Sequence, residues 1–181
     1  AEVDAVFISV GTPLDLNGDP DTRAIDSCVD EIAPRLRQNQ MITLRSTVIP
    51  GTTRRIAGVL ENRSGLKLGT DLFVAFSPER TVSGKALDEL GRLPVIVGAT
   101  DEASREQCAN LMSKLSDRVI RVPSAEVAEV AKLVDNMYRT LNIGFANELG
   151  RIAEAAGIDA YDVVAAVNTS YDRTSVFRPA L

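Results

Sequence analysis

The chain has 181 residues, of which 45% are hydrophobic and 25% are charged, a composition typical of a globular protein with one sizeable core. Its formal net charge is -5, and its 20 basic and 25 acidic residues are scattered, so no basic stripe is available to a nucleic acid. No apolar run approaches the roughly 20 residues that span a bilayer. We therefore expect a cytoplasmic protein with neither nucleic-acid nor membrane partners.

The residue types also limit the chemistry. The chain contains no histidine, which excludes Ser-His-Asp triads, Cys-His pairs and histidine metal sites, and we predict no metal site. Its two cysteines, Cys28 and Cys108, lie far apart in segments with helical patterns, so a disulfide is not expected. Acid and base chemistry must use lysine, aspartate, glutamate, tyrosine or water.

Short β-branched runs alternate with helical patterns from residue 4 to about residue 123, which predicts βαβ units around a parallel sheet. The predicted strands are 5–10, 41–44, 72–76, 94–97 and 119–122. The predicted helices between them are 21–37, 51–61 and 101–115. The expected fold class is therefore α/β, with a partial Rossmann-like parallel sheet.

The pattern changes after Pro123. Ser124 is a candidate N-cap, and apolar residues then recur every three or four positions, which predicts one helix of about 30 residues that ends near Gly157. Segment 159–167 predicts a further short helix. The apolar ridge of the long helix comprises Val130, Val134, Met137 and Leu141. This ridge is more apolar than one small sheet domain requires, so we expect a helical dimerisation region that forms a homodimer.

Polar segments follow three of the predicted strands. They are Val10-Gly11-Thr12-Pro13, Arg45-Ser46-Thr47-Val48-Ile49-Pro50-Gly51 and Phe76-Ser77-Pro78-Glu79-Arg80-Thr81. Each can also be an ordinary turn or helix cap, and the second leads into a helix whose free N–H groups could face an anion. Because the carboxyl ends of parallel strands share one edge, where open sheets bind ligands, we expect the three segments to converge.

A fourth polar group lies on the long helix. Lys132, Asn136 and Arg139 occupy positions i, i+4 and i+7, which places them in one stripe along the helix. The alternative interpretation is a solvated face, on which Glu129 and Asp135 would be the surface partners.

These four segments, in this order, resemble the UDP-glucose/GDP-mannose dehydrogenase family, whose members carry V-x-T-P, S-T-V-x-P-G, P-E-[FR] and K-x-x-x-N segments. The match spans essentially the whole chain. The Pro78-Glu79-Arg80 form, followed by Gly84, is similar to the UDP-N-acetylhexosamine branch, whereas the UDP-glucose branch usually has P-E-F. The resemblance implies NAD-dependent oxidation of a UDP-sugar C6 alcohol to a carboxylate in two steps, within nucleotide-sugar metabolism and polysaccharide biosynthesis.

The resemblance also implies roles for individual residues. Lys132 would stabilise the C6 oxyanion or move its proton, Asn136 would share that oxygen, and Thr47 would lie near the reacting carbon. The nucleotide sugar would be bound by Glu79, Arg80, Thr81, Lys132, Asn136 and Arg139. The NAD cofactor would be bound by Thr12, Pro13, Thr47 and Glu79.

The chain departs from the family pattern at three points. It contains neither a Gly-x-Gly-x-x-Gly turn nor a G-G-x-C cysteine segment, and Ser83 stands where the family often has a second acidic residue. We therefore expect an internal portion of a dehydrogenase that is inactive alone. Residues 1–123 would form the C-terminal part of the NAD-binding Rossmann-like domain, and residues 124–181 a truncated central helical region for dimerisation and substrate binding.

Two alternatives stay open. The substrate could be UDP-glucose or GDP-mannose, and which hexosamine is used also stays open, since epimers differ only in the orientation of one substituent. The chain could instead be a noncatalytic domain that binds a nucleotide or only dimerises.

Overall fold

The computed structural model describes residues 3–81, 84 and 91–179. These residues form one sheet with its strands in chain order, β1-β2-β3-β4-β5. The strands are β1 (Ala5–Ile8), β2 (Gln40–Leu44), β3 (Leu72–Phe76), β4 (Val95–Ala99) and β5 (Val119–Arg121). Each predicted strand is confirmed, with ends that shift by at most two residues.

In the described part of the chain, three helices cover the two faces of the sheet. They are α1 (Arg23–Ile32), α2 (Thr52–Ser64) and α3 (Glu102–Met112). The first ends earlier than predicted because Pro34 has no amide hydrogen, and a 3-10 turn takes over at Ala33–Arg35. The second ends later, at Gly65, whose φ of +72° suits the left-handed C-terminal position.

Side chains of neighbouring strand residues point to opposite faces, which produces two apolar layers. On one face Ile42 and Val74 belong to a core that α1 and α2 cover. On the other face Met41 and Phe73 pack with residues of α3, including Cys108. Both cysteines lie in sheet-covering helices, as predicted, and both are free.

The sheet differs from the prediction at one pair. β4 runs antiparallel to β3, with Phe76 opposite Gly98, whereas β1 with β2, β2 with β3, and β4 with β5 are parallel. The predicted α/β fold class is confirmed, and the prediction of a parallel sheet is wrong only at this pair. Because the pair is antiparallel, β4 starts at the edge of the sheet where β3 ends.

Two helices follow β5, namely α4 (Ala125–Ala156) and α5 (Ala160–Asn168). The long helix has 32 residues and ends before Gly157, as predicted. Its predicted N-cap is confirmed, since Ser124 Oγ accepts a hydrogen bond from the amide of Val127 over 3.4 Å. Asp159 caps α5 in the same way by accepting from Tyr161 N over 2.7 Å.

The start of α4 packs closely on β4. A Cβ atom added to Gly98 would lie 2.2 Å from the carbonyl oxygen of Ser124 and 2.9 Å from Cβ of Ala128. Only glycine permits such an approach between a strand and a helix. The position of the first turns of α4 therefore depends on this glycine.

The chain forms two compact units, Ala1–Leu133 and Val134–Leu181. The first contains the sheet, α1 to α3 and the first turns of α4, and the second contains the rest of α4 and α5. The domain boundary expected after residue 123 stays a prediction. Among the described residues, no helix combines the length and apolar character needed to cross a membrane.

Candidate functional site

The ends of β1 and β2 are tied together by side chains at the carboxyl edge of the sheet. The Ser46 hydroxyl accepts a hydrogen bond from the amide of Val10 over 2.9 Å and donates to the Val10 carbonyl over 2.7 Å. Just after these two residues in each segment, Thr12 Oγ1 donates to the carbonyl oxygen of Thr47 over 2.7 Å. The two threonines expected at a cofactor site therefore lie side by side, and both are half-buried.

The ends of β2 and β3 are joined by an ion pair. Arg45 donates through Nη2 to Oε2 of Glu79 over 2.7 Å, and the amide of Glu79 donates to the Arg45 carbonyl over 3.3 Å. The predicted convergence of three strand-end segments is confirmed by these bonds together with those of Thr12 and Ser46.

The carboxylate of Glu79 is held ionised by its surroundings. Partial burial raises its pKa, but hydrogen bonds from the amide of Thr81 and from Arg45 outweigh that effect, so the pKa falls to about 2. The Thr81 amide donates to Oε1 over 2.8 Å while Arg45 donates to Oε2, so both oxygens are oriented. Such a group accepts hydrogen bonds at neutral pH and is unsuited to donating a proton.

A cleft of about 350 Å³ opens beside this ion pair. Phe7, Arg45, Glu79, Arg80 and Thr81 line it together with apolar residues of α3 and of the segment before β4. Arg80 is anchored at the cleft by donating from Nη1 to the carbonyl of Pro94 over 3.0 Å. The cleft therefore combines an apolar wall with three charged groups, which is the usual make-up of a small-molecule pocket.

The structure divides the predicted site residues between two places. Glu79, Arg80 and Thr81 share the cleft, whereas the lining of the cleft does not include Thr12 or Thr47. The positions Val82, Ser83 and Lys85 of the same motif lie outside the described residues, so the departure at Ser83 has no structural account.

The Lys-Asn-Arg stripe lies on one continuous helix. Lys132 and Asn136 are half-buried and Arg139 is exposed. Lys132 belongs to the unit Ala1–Leu133, and the other two belong to the unit Val134–Leu181. The expectation that the stripe faces the strand ends stays a prediction.

The N-terminus of α2 is occupied by a side chain from α4, which corrects two expectations. Glu129 accepts hydrogen bonds from the amides of Gly51 over 2.6 Å and Thr53 over 2.8 Å. These N–H groups are therefore not available to an external anion, and no local side chain caps the helix. Glu129 is also fully buried, so its interpretation as a surface partner is wrong.

Sequence patterns contained a signal for Glu129. Ala125, Ala128, Glu129 and Lys132 lie at i, i+3, i+4 and i+7, which places Glu129 on the same face as two alanines that are fully buried. Small residues in the turn before a carboxylate indicate close packing against a neighbouring element. Arg45 belongs to the second polar segment of the sequence analysis, but no role was predicted for it.

In the part of the chain that the structure describes, no group of three or more histidine, cysteine, aspartate or glutamate side chains is arranged to hold a metal ion.

Comparison with known proteins finds relatives along the whole chain. Residues 1–116 match the NAD binding domain of the UDP-glucose/GDP-mannose dehydrogenase family, and residues 126–181 match the central domain of that family. A UDP-N-acetyl-D-mannosamine dehydrogenase of Pyrococcus horikoshii is 33% identical over 97% of this chain and 41% of its own length. A GDP-mannose 6-dehydrogenase of Pseudomonas putida is 37% identical over 89% of this chain and 38% of its own length.

Solved structures agree with the sequence matches. The structure of the UDP-D-ManNAc dehydrogenase from Pyrococcus horikoshii resembles this one with a TM-score of 0.90 and 31% identity, over 97% of this chain and 42% of that chain. The chain therefore spans about two fifths of the length of the curated relatives named above.

Proposed function

Because the chain belongs to the UDP-glucose/GDP-mannose dehydrogenase family, we propose that it is part of an NAD-dependent UDP-sugar 6-dehydrogenase. The reaction would oxidise the C6 alcohol of a UDP-N-acetylhexosamine to a carboxylate in two steps. The observation that carries this proposal is the joining of three strand ends at one edge, Thr12 to Thr47 and Arg45 to Glu79. Open α/β sheets bind their ligands at this edge.

The residues at the edge fit part of a dinucleotide. When bound, NAD would accept a hydride from the sugar C6. Thr12, Pro13, Thr47 and Glu79 would hold the cofactor. The α2 N-terminus is not assigned to the diphosphate, because Glu129 already accepts from the amide of Gly51 there.

The cleft would hold the sugar. The ionised carboxylate of Glu79 can accept a hydrogen bond from a sugar hydroxyl, and Arg80 and Thr81 would orient the ring beside it. The cleft volume of about 350 Å³ lies within the range of small-ligand pockets.

The residues of α4 would act on the reacting oxygen and the nucleotide. Lys132 would stabilise the C6 oxygen as it loses its proton, because a point charge there favours the developing anion. Asn136, one turn further, would share that oxygen, and Thr47 would lie near the reacting carbon. Arg139 would bind the nucleotide sugar, since a guanidinium recognises phosphate in a forked geometry.

Two observations favour a UDP-N-acetylhexosamine as the substrate. Pro78-Glu79-Arg80 is similar to the branch that uses such sugars, and a UDP-N-acetyl-D-mannosamine dehydrogenase is among the relatives. A GDP-mannose 6-dehydrogenase is similarly related, so GDP-mannose is the competing substrate.

The organisation of the chain completes the proposal. Residues 1–123 would contribute the C-terminal part of the NAD-binding domain, and residues 124–181 a central region for dimerisation and substrate binding. The protein would act in the cytoplasm, where nucleotide sugars and NAD are available, and the exposed apolar ridge of α4 would pair two copies in a homodimer.

The test measures NADH formation by the complete protein that carries this chain. UDP-N-acetylglucosamine, UDP-N-acetylmannosamine, UDP-glucose and GDP-mannose are compared by kcat/KM, and two NADH are expected for each sugar oxidised. Lys132→Ala should lower kcat far more than it weakens sugar binding, as expected for a residue that acts in the transition state. The exposed Lys114→Ala is the matched control.

Four results would count against the proposal or one of its parts. Absence of NADH with all four sugars would refute the dehydrogenase function. Preference for GDP-mannose would refute the substrate assignment alone. Equal losses of kcat and of binding in Lys132→Ala would refute the proposed role of the lysine. Calorimetry of the present chain that detects neither NAD nor UDP-sugar binding would leave it only a structural role.

A further inference from the structure

A buried carboxylate links α4 to the N-terminus of α2. Glu129 has no solvent exposure. Its Oε2 accepts from the amide of Gly51 over 2.6 Å, and its Oε1 accepts from the amide of Thr53 over 2.8 Å and from the Thr53 hydroxyl over 2.7 Å. Both oxygens are therefore bonded, and the three donors come from an element that is distant in sequence.

The hydrogen bonds of the Glu129 carboxylate restrict the movement of α4 relative to α2. A buried carboxylate is costly unless hydrogen bonds compensate for lost water, and here three donors and the positive end of the helix dipole do so. Gly51 at the N-cap has no side chain to supply a cap, so Glu129 takes that place from outside the helix. Because hydrogen bonds are directional, they restrict both the rotation of α4 and its position along its axis.

The same turns of α4 are held on a second side. Ser124 and Ala128 approach Gly98 of β4 so closely that no Cβ atom fits between them. One turn before Glu129, Glu126 pairs with Arg54 of α2 over 2.7 Å. This outer pair is more exposed, and exposed ion pairs contribute little to stability. Of the two carboxylate contacts between α4 and α2, the buried one of Glu129 therefore restrains α4 more than the exposed one of Glu126.

Two proposed catalytic residues lie next to the contact. Lys132 follows Glu129 by three residues, about one helical turn, on the same helix. Thr47 precedes Gly51 by four residues in the segment that leads into α2. The Glu129 carboxylate thus joins the helix that carries the lysine to the segment that carries the threonine.

We propose that Glu129 is a positioning residue of the dehydrogenase, which sets the location of the Lys132 ammonium relative to the Thr47 segment through its bonds to Gly51 and Thr53. The inference rests on the proposed function above. A displacement of about 1 Å at a catalytic group can cost on the order of 100-fold in rate. Loss of the contact should therefore reduce turnover while NAD and sugar still bind.

The test uses the complete protein and isosteric substitutions. Glu129→Gln replaces one accepting oxygen with an NH₂ group that faces a backbone donor. We expect kcat for NADH formation to fall roughly 10- to 100-fold, with the KM values for NAD and sugar changed by less than about threefold. Glu126→Gln, one turn earlier on the same helix, is the matched control and should keep kcat within about twofold.

A double-mutant cycle separates positioning from general destabilisation. If Glu129 acts through the lysine, Glu129→Gln should lower kcat no further in a protein that already carries Lys132→Ala. An equal further loss in that background would overturn the proposal. Unchanged kcat in the single variant would overturn it as well, while a wild-type protein without activity on any nucleotide sugar would refute the underlying function.

A milder variant covers the case in which Glu129→Gln does not fold. Thr53→Val removes only the hydroxyl donor and leaves both backbone amides bonded to the carboxylate. It should fold and lower kcat by roughly two- to tenfold, again with little change in KM. A folded Thr53→Val protein with wild-type kcat would overturn the proposal.

Discussion

The guanidinium of Arg45 donates through Nη2 to Oε2 of Glu79 over 2.7 Å, so the residue directly after β2 orients a carboxylate that follows β3. The Arg45 side chain is mostly buried, whereas that of Glu79 is 46% exposed. The buried Arg45 side chain therefore holds the more exposed carboxylate of Glu79 in place at the cleft. This arrangement gives a surface carboxylate a defined direction.

Replacing Arg45 should raise the pKa of Glu79. In Arg45→Met we expect the pKa of Glu79 to rise from about 2 toward its usual 4.5, because the hydrogen bond and positive charge are lost. Carboxyl-carbon NMR titration of the chain measures the shift. Arg55→Met, which removes another exposed ion pair, is the control and should leave the Glu79 titration unchanged. An unaltered Glu79 pKa in Arg45→Met would show that Arg45 does not hold it down.

The same pair predicts a pH dependence of stability. Since the folded pKa of Glu79 is depressed, its stabilisation is present above about pH 4.5 and is lost as the pH falls toward about 2. Solvent screening limits the contribution to about 1 kcal/mol or less. In urea unfolding, the difference between wild type and Arg45→Met should therefore shrink on acidification, and a difference that grows would contradict the assignment.

Gly98→Ala should destabilise the chain strongly. The new Cβ would lie 2.2 Å from the backbone oxygen of Ser124, so α4 must move away from β4. We expect the free energy of unfolding to fall by about 1–3 kcal/mol, as overpacking of a core does. Gly58→Ala, in the middle of α2 with open space around its Cβ position, should instead stabilise by about 0.5–1 kcal/mol. Equal effects of the two substitutions in urea unfolding would contradict this packing.

The two cysteines should differ in reactivity. Burial raises the pKa of Cys108 to about 11, against smaller opposing effects of the Thr43 hydroxyl and the Arg45 charge, whereas Cys28 is half-buried. At about pH 8 a thiol reagent should modify Cys28 in the folded chain and Cys108 only after unfolding, because the thiolate is the reactive form. Cys28→Ser should abolish the fast reaction and Cys108→Ser should preserve it. Rapid modification of Cys108 in the folded chain would contradict its burial.

The apolar ridge of α4 should mediate pairing. Met137 and Leu141 are 61% and 70% exposed, which is unusual for large apolar side chains on a helix. We expect Leu141→Lys to halve the mass found by light scattering, because an interface core does not tolerate an unpaired charge. Thr140→Lys, an exposed polar neighbour, adds the same charge and should leave the mass unchanged. A wild-type chain that is monomeric at high concentration would refute the dimer.

Local features of the chain were predictable from its sequence. The five strands, the 32-residue helix that ends before Gly157, and the N-cap of Ser124 follow from periodicity and capping chemistry. The convergence of the segments around Thr12, Thr47 and Glu79 was also predictable, because parallel strands place their carboxyl ends at one edge. Each of these inferences needs only residues that are close in sequence or a general rule of sheet geometry.

Other features depended on the tertiary structure. A strand carries no mark of its direction in its own side-chain pattern, so the antiparallel pairing of β4 with β3 appeared only in the folded chain. The partners Glu129 and Gly51 are separated by 78 positions. The residues around Glu129 do not indicate that it bonds to Gly51, and those around Gly51 do not indicate Glu129. A hydrogen bond between such distant segments forms only once the sheet and its helices have brought them together. The sequence by itself therefore determined the helices and strands and the edge of the sheet at which the polar segments meet. Only the packing of α4 on α2 decided that the amides of Gly51 and Thr53 at the start of α2 donate to Glu129.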